Sequence, residues 1–203
     1  MRYSLTNNPV FWTIQGEGHM RGFQMCFVRL AGCSVGCPGC DTDYRRKEMA
    51  APDEIAERAD AVTPSNARER WAWITGGEPT DHDLEALIEA LRAKRFSIAL
   101  ASSGHRRVVS AVDWLSISPH DPAKWVHTSG HEVKVVPGLN GFAIDDFRAA
   151  HSDDETDFKY RYVQPLSFDK HEDPESLRVC LEFVQANPNW ALSRQDHHHW
   201  GVA

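Results

Sequence analysis

No apolar run in the 203-residue chain approaches the ~20 residues that cross a bilayer. The opening residues, Met1-Arg2-Tyr3-Ser4-Leu5-Thr6-Asn7-Asn8, also lack the apolar stretch of a secretory leader. Both absences argue against a membrane partner and lead to the expectation of a cytoplasmic protein. Excess positive charge is missing too, with 22 Lys and Arg against 29 Asp and Glu and a formal net charge of -7. Nucleic-acid binding rests on neutralising phosphates, so no nucleic-acid partner is expected. The short basic runs Arg45-Arg46-Lys47 and Arg106-Arg107 read as solvated surface. No repeat and no low-complexity linker interrupts the chain, which argues against a solenoid and suggests one domain over residues 1–203. At 41% hydrophobic residues, a chain of this length can bury a proper core.

Cysteine is scarce, five residues in all, and there is no second C-x-x-C-like pair. So few cysteines do not suit a disulfide-stapled fold. Cys26 lies in a strand-like run and Cys180 in a helical one, and both read as small buried hydrophobes. Cys33, Cys37 and Cys40 are different: they fall within eight residues, and Gly32, Gly36 and Gly39 let the backbone turn between them. Soft thiolates select zinc or iron-sulfur. A structural zinc site is normally closed by four protein ligands, so here a histidine would have to complete it. A 4Fe-4S cluster takes three thiolates on three irons and leaves the fourth open to an external ligand. On the cysteines alone, both metals remain open.

Residues 10–18 alternate apolar and polar side chains and run into a glycine turn that carries Glu17. Gly16, Gly18 and Gly22 give G-x-G-x-x-x-G ahead of the first convincing strand, which is not a dinucleotide fingerprint. Strands are expected at residues 24–30, 71–75, 96–100, 114–117, 132–136 and 159–163. A helix is expected from Pro52-Asp53-Glu54 to about residue 62, with proline early and acids in its first turn. A second carries Leu84, Leu87, Ile88 and Leu91 at amphipathic spacing, and a last one places Leu177, Cys180, Leu181 and Val184 on one face. The stretch between His120 and His131 and the run Ser152-Asp153-Asp154-Glu155 read as surface loops. The predicted fold is α/β, an open partial barrel of about six mainly parallel strands with outer helices, since six strands are too few to close an eight-stranded barrel. The cysteines, Gly76-Gly77-Glu78-Pro79, Ser102-Ser103-Gly104, Ser118-Pro119 and Gln164-Pro165 all follow strands. They should therefore share one rim, where α/β folds bind ligands.

The loop Cys33-x3-Cys37-x2-Cys40 after one strand, with Gly76-Gly77-Glu78-Pro79 after the next, resembles the radical S-adenosylmethionine (SAM) enzymes. Three further stretches are similar to the 7-carboxy-7-deazaguanine synthase (QueE) family within them. They are the opening Phe11-Trp12-Thr13-Ile14-Gln15-Gly16-Glu17-Gly18, the triplet Cys40-Asp41-Thr42, and a tail with Gln195, His197 and Gly201. The resemblance implies an abbreviated radical SAM core holding a 4Fe-4S cluster on Cys33, Cys37 and Cys40. It also implies SAM contacts from Gly76, Gly77, Glu78, Ser102, Ser118 and Gln164, and cleavage of SAM to a 5'-deoxyadenosyl radical. The implied reaction converts 6-carboxy-5,6,7,8-tetrahydropterin to 7-carboxy-7-deazaguanine, with ring contraction and loss of ammonia, on the way to queuosine and related deazapurines.

Substrate contacts would come from Ile14, Gln15, Gly16, Glu17, Arg29, His197 and the Ala203 carboxylate. Gln15 and Glu17 suit the amide and amino edge of a pterin, and Arg29 suits a bidentate grip on its carboxylate. Thr42 would ligate magnesium, a hard ion that prefers oxygen. An N-terminal segment over residues 1–23 would bind substrate, and a tail over residues 190–203 would fold over it. The resemblance further implies an electron donor such as flavodoxin or ferredoxin, and a homodimer. The chain departs from the pattern at Gly39, often aromatic in the superfamily, and at His120, where lysine often follows Ser-Pro. It departs again at Asp196 in place of the tail threonine and at Ser102-Ser103, where Thr-Asn is common.

Each position also has a plain structural reading: Glu17 as a turn carboxylate, Arg29 as an ion-pair partner, Thr42 as a cap, and His197-His198-His199 as solvated tail. Two rival functions follow from dropping parts of the pattern. A glycyl-radical activase would need a protein-docking surface but not Gln15-Gly16-Glu17, Thr42 or the His197 tail. A zinc-binding interaction module would need only the cysteines and a histidine.

Overall fold

Tyr3 and Leu5 are buried with half-buried Ser4 between them at the start of Tyr3–Ile14, which forms a twelve-residue strand, β1. In the computed structural model, which describes residues 1–37, 40, 43–108, 110–168 and 170–202, β1 pairs antiparallel with Gln24–Leu30 (β2) and Glu48–Ala50 (β3). The expectation that strands begin at residue 24 is corrected here. Asn7-Asn8-Pro9 interrupts the alternation, but the register shift between Leu5 and Val10, with Asn8 at φ 45°, absorbs the break.

From β2 the sheet grows in parallel through Trp71–Gly76 (β4), Ser97–Ser102 (β5), Trp114–Ile117 (β6), Ser129–Val135 (β7) and Asp157–Val163 (β8). These are the six expected parallel strands. β7 begins three residues earlier than predicted, taking Ser129 and Gly130 out of the expected loop. Ser167–Phe168 (β9) and His171–Glu172 (β10) form a separate hairpin, and Ala191–Leu192 (β11) adds in parallel to β8. The strand order β11-β8-β7-β6-β5-β4-β2-β1-β3 is linear, so the sheet stays open.

Helices cover one face. Pro52–Val62 (α1) starts with proline, and the Glu54 carboxylate accepts from the Ala51 N–H at 2.7 Å. Glu85–Ala93 (α2) buries Leu87, Ile88 and Leu91 beneath it, with Leu84 at its cap. Ile144–Ala150 (α3) adds Ile144 and Phe147. Pro174–Ala186 (α4) is capped by Asp173, whose carboxylate accepts from the Ser176 N–H at 2.7 Å. These helices meet Val28, Ile74, Ile98, Leu100, Ile117, Val133 and Val163 in the main core. The run Ser152–Glu155 includes a 3-10 turn, Asp153–Glu155, and a short helix, Asp196–Trp200 (α5), ends the chain. No helix among the described residues is long and apolar enough to cross a membrane.

The other face is set by register. Phe27 stands beside Trp73 and Trp73 beside Ala99; one step towards the strand ends, Arg29 stands beside Thr75, and Ala101, Ser116 and Glu132 are aligned. Side chains two apart on a strand share a face. The inner wall therefore has an apolar floor of Trp73, Met20, Met25 and Ala99 and turns polar towards the C-terminal strand ends.

One expected face differs. α4 buries Ser176, Cys180 and Phe183, while Leu181 is 43% exposed. Phe183, which meets Trp190 edge-on, replaces Leu181 as the anchor. Phe183→Ala is expected to lower unfolding free energy by ~3–5 kcal/mol, and Leu181→Ala by less than ~0.5 kcal/mol. Urea titration of both variants checks this; equal losses would restore Leu181 to the core.

Candidate active site

β2 and β4 run in parallel, and both chains leave the sheet at the same rim. The Gly77 N–H donates to Leu30 O at 2.8 Å and the Glu78 N–H to Gly32 O at 2.9 Å, so the Gly-Gly-Glu turn is bonded to the start of the cysteine loop. A Cβ on Gly76 would overlap the Leu30 backbone, and one on Gly77 would overlap Gly32 O. Gly76 also takes φ 119°. Only glycine fits at both positions.

The Glu78 carboxylate is buried and hydrogen-bonded on both oxygens. Oε1 accepts from Thr80 N at 3.0 Å, Thr80 Oγ1 at 2.7 Å and Ser102 Oγ at 2.8 Å. Oε2 accepts from Ser103 N at 2.8 Å and Ser103 Oγ at 2.7 Å. Glu78 and Ser102 thus join the β4 turn to the β5 turn. On the other side, Ser34 donates through N and Oγ to Asp81, both at 2.7 Å, and His105 lies 2.8 Å from both Ser34 Oγ and Ser103 Oγ. Three strand ends are held as one polar unit.

Cys33, Cys37 and Cys40 line the same cavity as Gly76 and Gly77, a space of about 290 Å³. Cys37 is buried, Cys33 half-buried and Cys40 exposed. Burial raises the Cys37 thiol, and a hydrogen bond from Asn140 opposes that. Cys26 and Cys180 are buried elsewhere with thiols pushed up to about 12, the behaviour of core residues. Among the described residues no three His, Cys, Asp or Glu side chains are placed to hold a single metal ion. An iron-sulfur cluster has a different requirement, because its thiolates bind different irons and need not meet at one point. The donor set, facing a cavity beside a glycine turn, fits such a cluster.

At the far wall, the Gln15–Gly18 turn is clasped by the tail. The Asp196 N–H donates to Gly16 O at 3.1 Å, the Gly18 N–H to Ser193 Oγ at 2.9 Å, and Ser193 Oγ to Gln164 Oε1 at 2.8 Å. His197 is seated directly on Gly16, where a Cβ would overlap it, and Arg21 pairs with Asp196. The Glu17 carboxylate pairs with Lys134 from β7 and accepts from Gln195 Nε2 at 2.8 Å. Burial brings the Lys134 ammonium down to about 8. Beside it, burial raises the Glu132 carboxyl, which accepts from the His19 N–H at 2.7 Å. The Arg29 guanidinium lies 4.8 Å from the centre of the Phe11 ring.

Of the residues singled out from sequence, Thr42 and Ala203 lie outside the described residues, as do Gly39 and Asp41. The remaining expected cluster, SAM and substrate residues border one cavity: Ile14, Gln15, Gly16, Glu17, Arg29, Cys33, Cys37, Cys40, Gly76, Gly77, Glu78, Ser102, Ser118, Gln164 and His197. Lys134 and Glu132, not expected as site residues, also line the cavity, as does Ser103, which was expected on the rim. A signal was available in Glu132-Val133-Lys134, where two charged residues on one face of an otherwise apolar strand mark a polar wall.

An open, mainly parallel sheet with three cysteines and a Gly-Gly-Glu turn on one rim defines the class of radical SAM enzymes. No protein-family model matches the chain. It is 30% identical to the 7-carboxy-7-deazaguanine synthase of Caulobacter vibrioides, over all of both chains. It is 29% identical to that of Burkholderia multivorans, over 95% of this chain and 96% of the relative. The crystal structure of QueE from Escherichia coli superposes with a TM-score of 0.72 at 28% identity, covering 96% of this chain and 94% of that one. The chain belongs to the 7-carboxy-7-deazaguanine synthase family.

Gly77→Ala is expected to cost ~1–3 kcal/mol of stability by overpacking and to cut iron uptake on anaerobic reconstitution. Thermal unfolding and iron analysis check both; a variant with full iron and unchanged stability would show that the close approach is not required.

Proposed function

We propose that this chain converts 6-carboxy-5,6,7,8-tetrahydropterin to 7-carboxy-7-deazaguanine as a radical SAM lyase. The observation that carries the reading is that the cysteine loop, the Gly76-Gly77 turn and the clasped Gln15–Gly18 turn all open onto one cavity. In this reading Cys33, Cys37 and Cys40 hold a 4Fe-4S cluster, and the Gly76-Gly77 backbone receives the SAM amino group. Glu78 and Ser102, bonded to each other, shape that turn, and Ser118 and Gln164 border the SAM side. When bound, the cluster and SAM supply one-electron chemistry that starts the ring contraction.

The protein's own part is to bind, orient and exclude water. Gln15 and Glu17 take the amide and amino edge of the pterin, beside Ile14 and Gly16. A carboxylate offers about four acceptor sites, so Lys134 and Gln195 leave Glu17 room for two substrate donors. Lys134 gives that half-buried carboxylate a cation partner. Arg29 grips the substrate carboxylate, and Thr42 contributes a hydroxyl to magnesium. His197 and the Ala203 carboxylate close the cavity, in keeping with the tail's seat on Gly16. On this account residues 1–203 act as one radical SAM domain, with residues 1–23 facing substrate and residues 190–203 as its cover. It works as a cytoplasmic homodimer with a flavodoxin or ferredoxin donor.

Anaerobic reconstitution tests the reading. Iron and sulfide should load near four each, and SAM, a reductant and the tetrahydropterin should yield the deazaguanine acid, faster with magnesium. Stoichiometric zinc without iron would favour a zinc module. A loaded cluster that cleaves SAM yet forms no deazaguanine, beside an active control enzyme, would favour an activase.

A pH profile tests the role of Lys134. As pH rises and the Lys134 ammonium, which burial holds below its ordinary value, loses its proton, Glu17 loses its cation, and the substrate KM should rise. Lys134→Gln should bind substrate weakly at every pH, with no such step. A flat wild-type profile, or a step kept by the variant, would remove Lys134 from this role.

A further inference from the structure

Cys37 is the buried member of the three cysteines, and two nitrogen groups reach its sulfur. His120 Nδ1 lies 3.1 Å from Sγ, and Asn140 Nδ2 lies 3.6 Å from it. Asn140 Nδ2 also donates to His120 O at 2.7 Å, and an amide NH2 has two hydrogens, enough for both bonds. Its Oδ1 is buried without a hydrogen-bond partner, so the amide is held by its nitrogen end. Asn140 reaches this position from the turn Leu139–Gly141 at φ 57°, a left-handed conformation that asparagine tolerates. His120 comes from the loop after β6.

We infer that His120 and Asn140 are paired N–H donors to the Cys37 sulfur and set the reduction potential of the cluster. The inference rests on the cluster reading. A sulfur bound to iron has no proton to give, so a hydrogen bond to His120 Nδ1 requires the imidazole to donate. N–H···S bonds withdraw charge from the ligand sulfur and stabilise the more negative, reduced cluster, which raises its potential. They count for more at a buried ligand than at one in water. His120 and Asn140 act through Cys37 and are positioning residues. They would decide how readily this cluster accepts its electron.

The test compares reconstituted wild type, His120→Phe and Asn140→Gly; glycine keeps the left-handed backbone and removes only the amide. The readout is the midpoint potential of the reduced-cluster EPR signal without SAM. Each variant should be at least about tenfold harder to reduce, a shift of ~59 mV to more negative potential for one electron. Unchanged potentials in both variants, with wild-type iron content, would overturn the inference and leave the cluster reading intact. Loss of iron from His120→Phe alone would make His120 a ligand and also overturn it. A wild-type chain that takes up zinc and no iron would overturn the cluster reading and the inference together.

Discussion

The site depends on how closely the ends of β2 and β4 approach. With Gly77 and Glu78 bonded to Leu30 O and Gly32 O, and no space for a Cβ on Gly76 or Gly77, the cysteine loop and the glycine turn are one structural unit. The Glu78 carboxylate extends the unit to β5 through Ser102 and Ser103. Asp81 ties back Ser34, which sits inside the cysteine loop. A loop rich in glycine would otherwise sample many conformations. Here the start of the loop, through Gly32 and Ser34, is bonded to turns at strand ends that the parallel sheet fixes.

The opposite wall is made by segments distant in the chain. Glu17, Lys134 and Gln195 meet at one carboxylate, and the tail from Ser193 to His197 lies over the Gly16 turn. An apolar floor of Trp73, Met25 and Ala99 sits beneath the polar wall. The low-dielectric floor strengthens the polar contacts above it, and the tail shields them from water.

The six parallel strands were legible because each is a short apolar run ending in a turn, and the parallel arrangement placed their loops on one rim. The cysteine loop and Gly76-Gly77 were legible because their chemistry is local in sequence. β1 was obscured by Asn7-Asn8-Pro9, which reads as a turn although the strand continues through a bulge. On α4, Leu181 matched the helical spacing as well as its neighbours did, yet the packing of Phe183 against Trp190 rotated the face away from it. Contacts such as Glu17 with Lys134, Cys37 with His120, and Gly16 with His197 join residues far apart in the chain. Local pattern carries no record of such pairings; only the assembled sheet supplies them.

The central claim is that the cysteine loop and the Gly76-Gly77 turn form a single centre for SAM. Pulsed EPR of the reduced cluster, with SAM carrying 15N in its amino group and 17O in its carboxylate, tests this most directly. The account predicts hyperfine coupling of both labels to the cluster, lost when Cys33, Cys37 or Cys40 is replaced. A cluster that forms and binds SAM with neither coupling would contradict it.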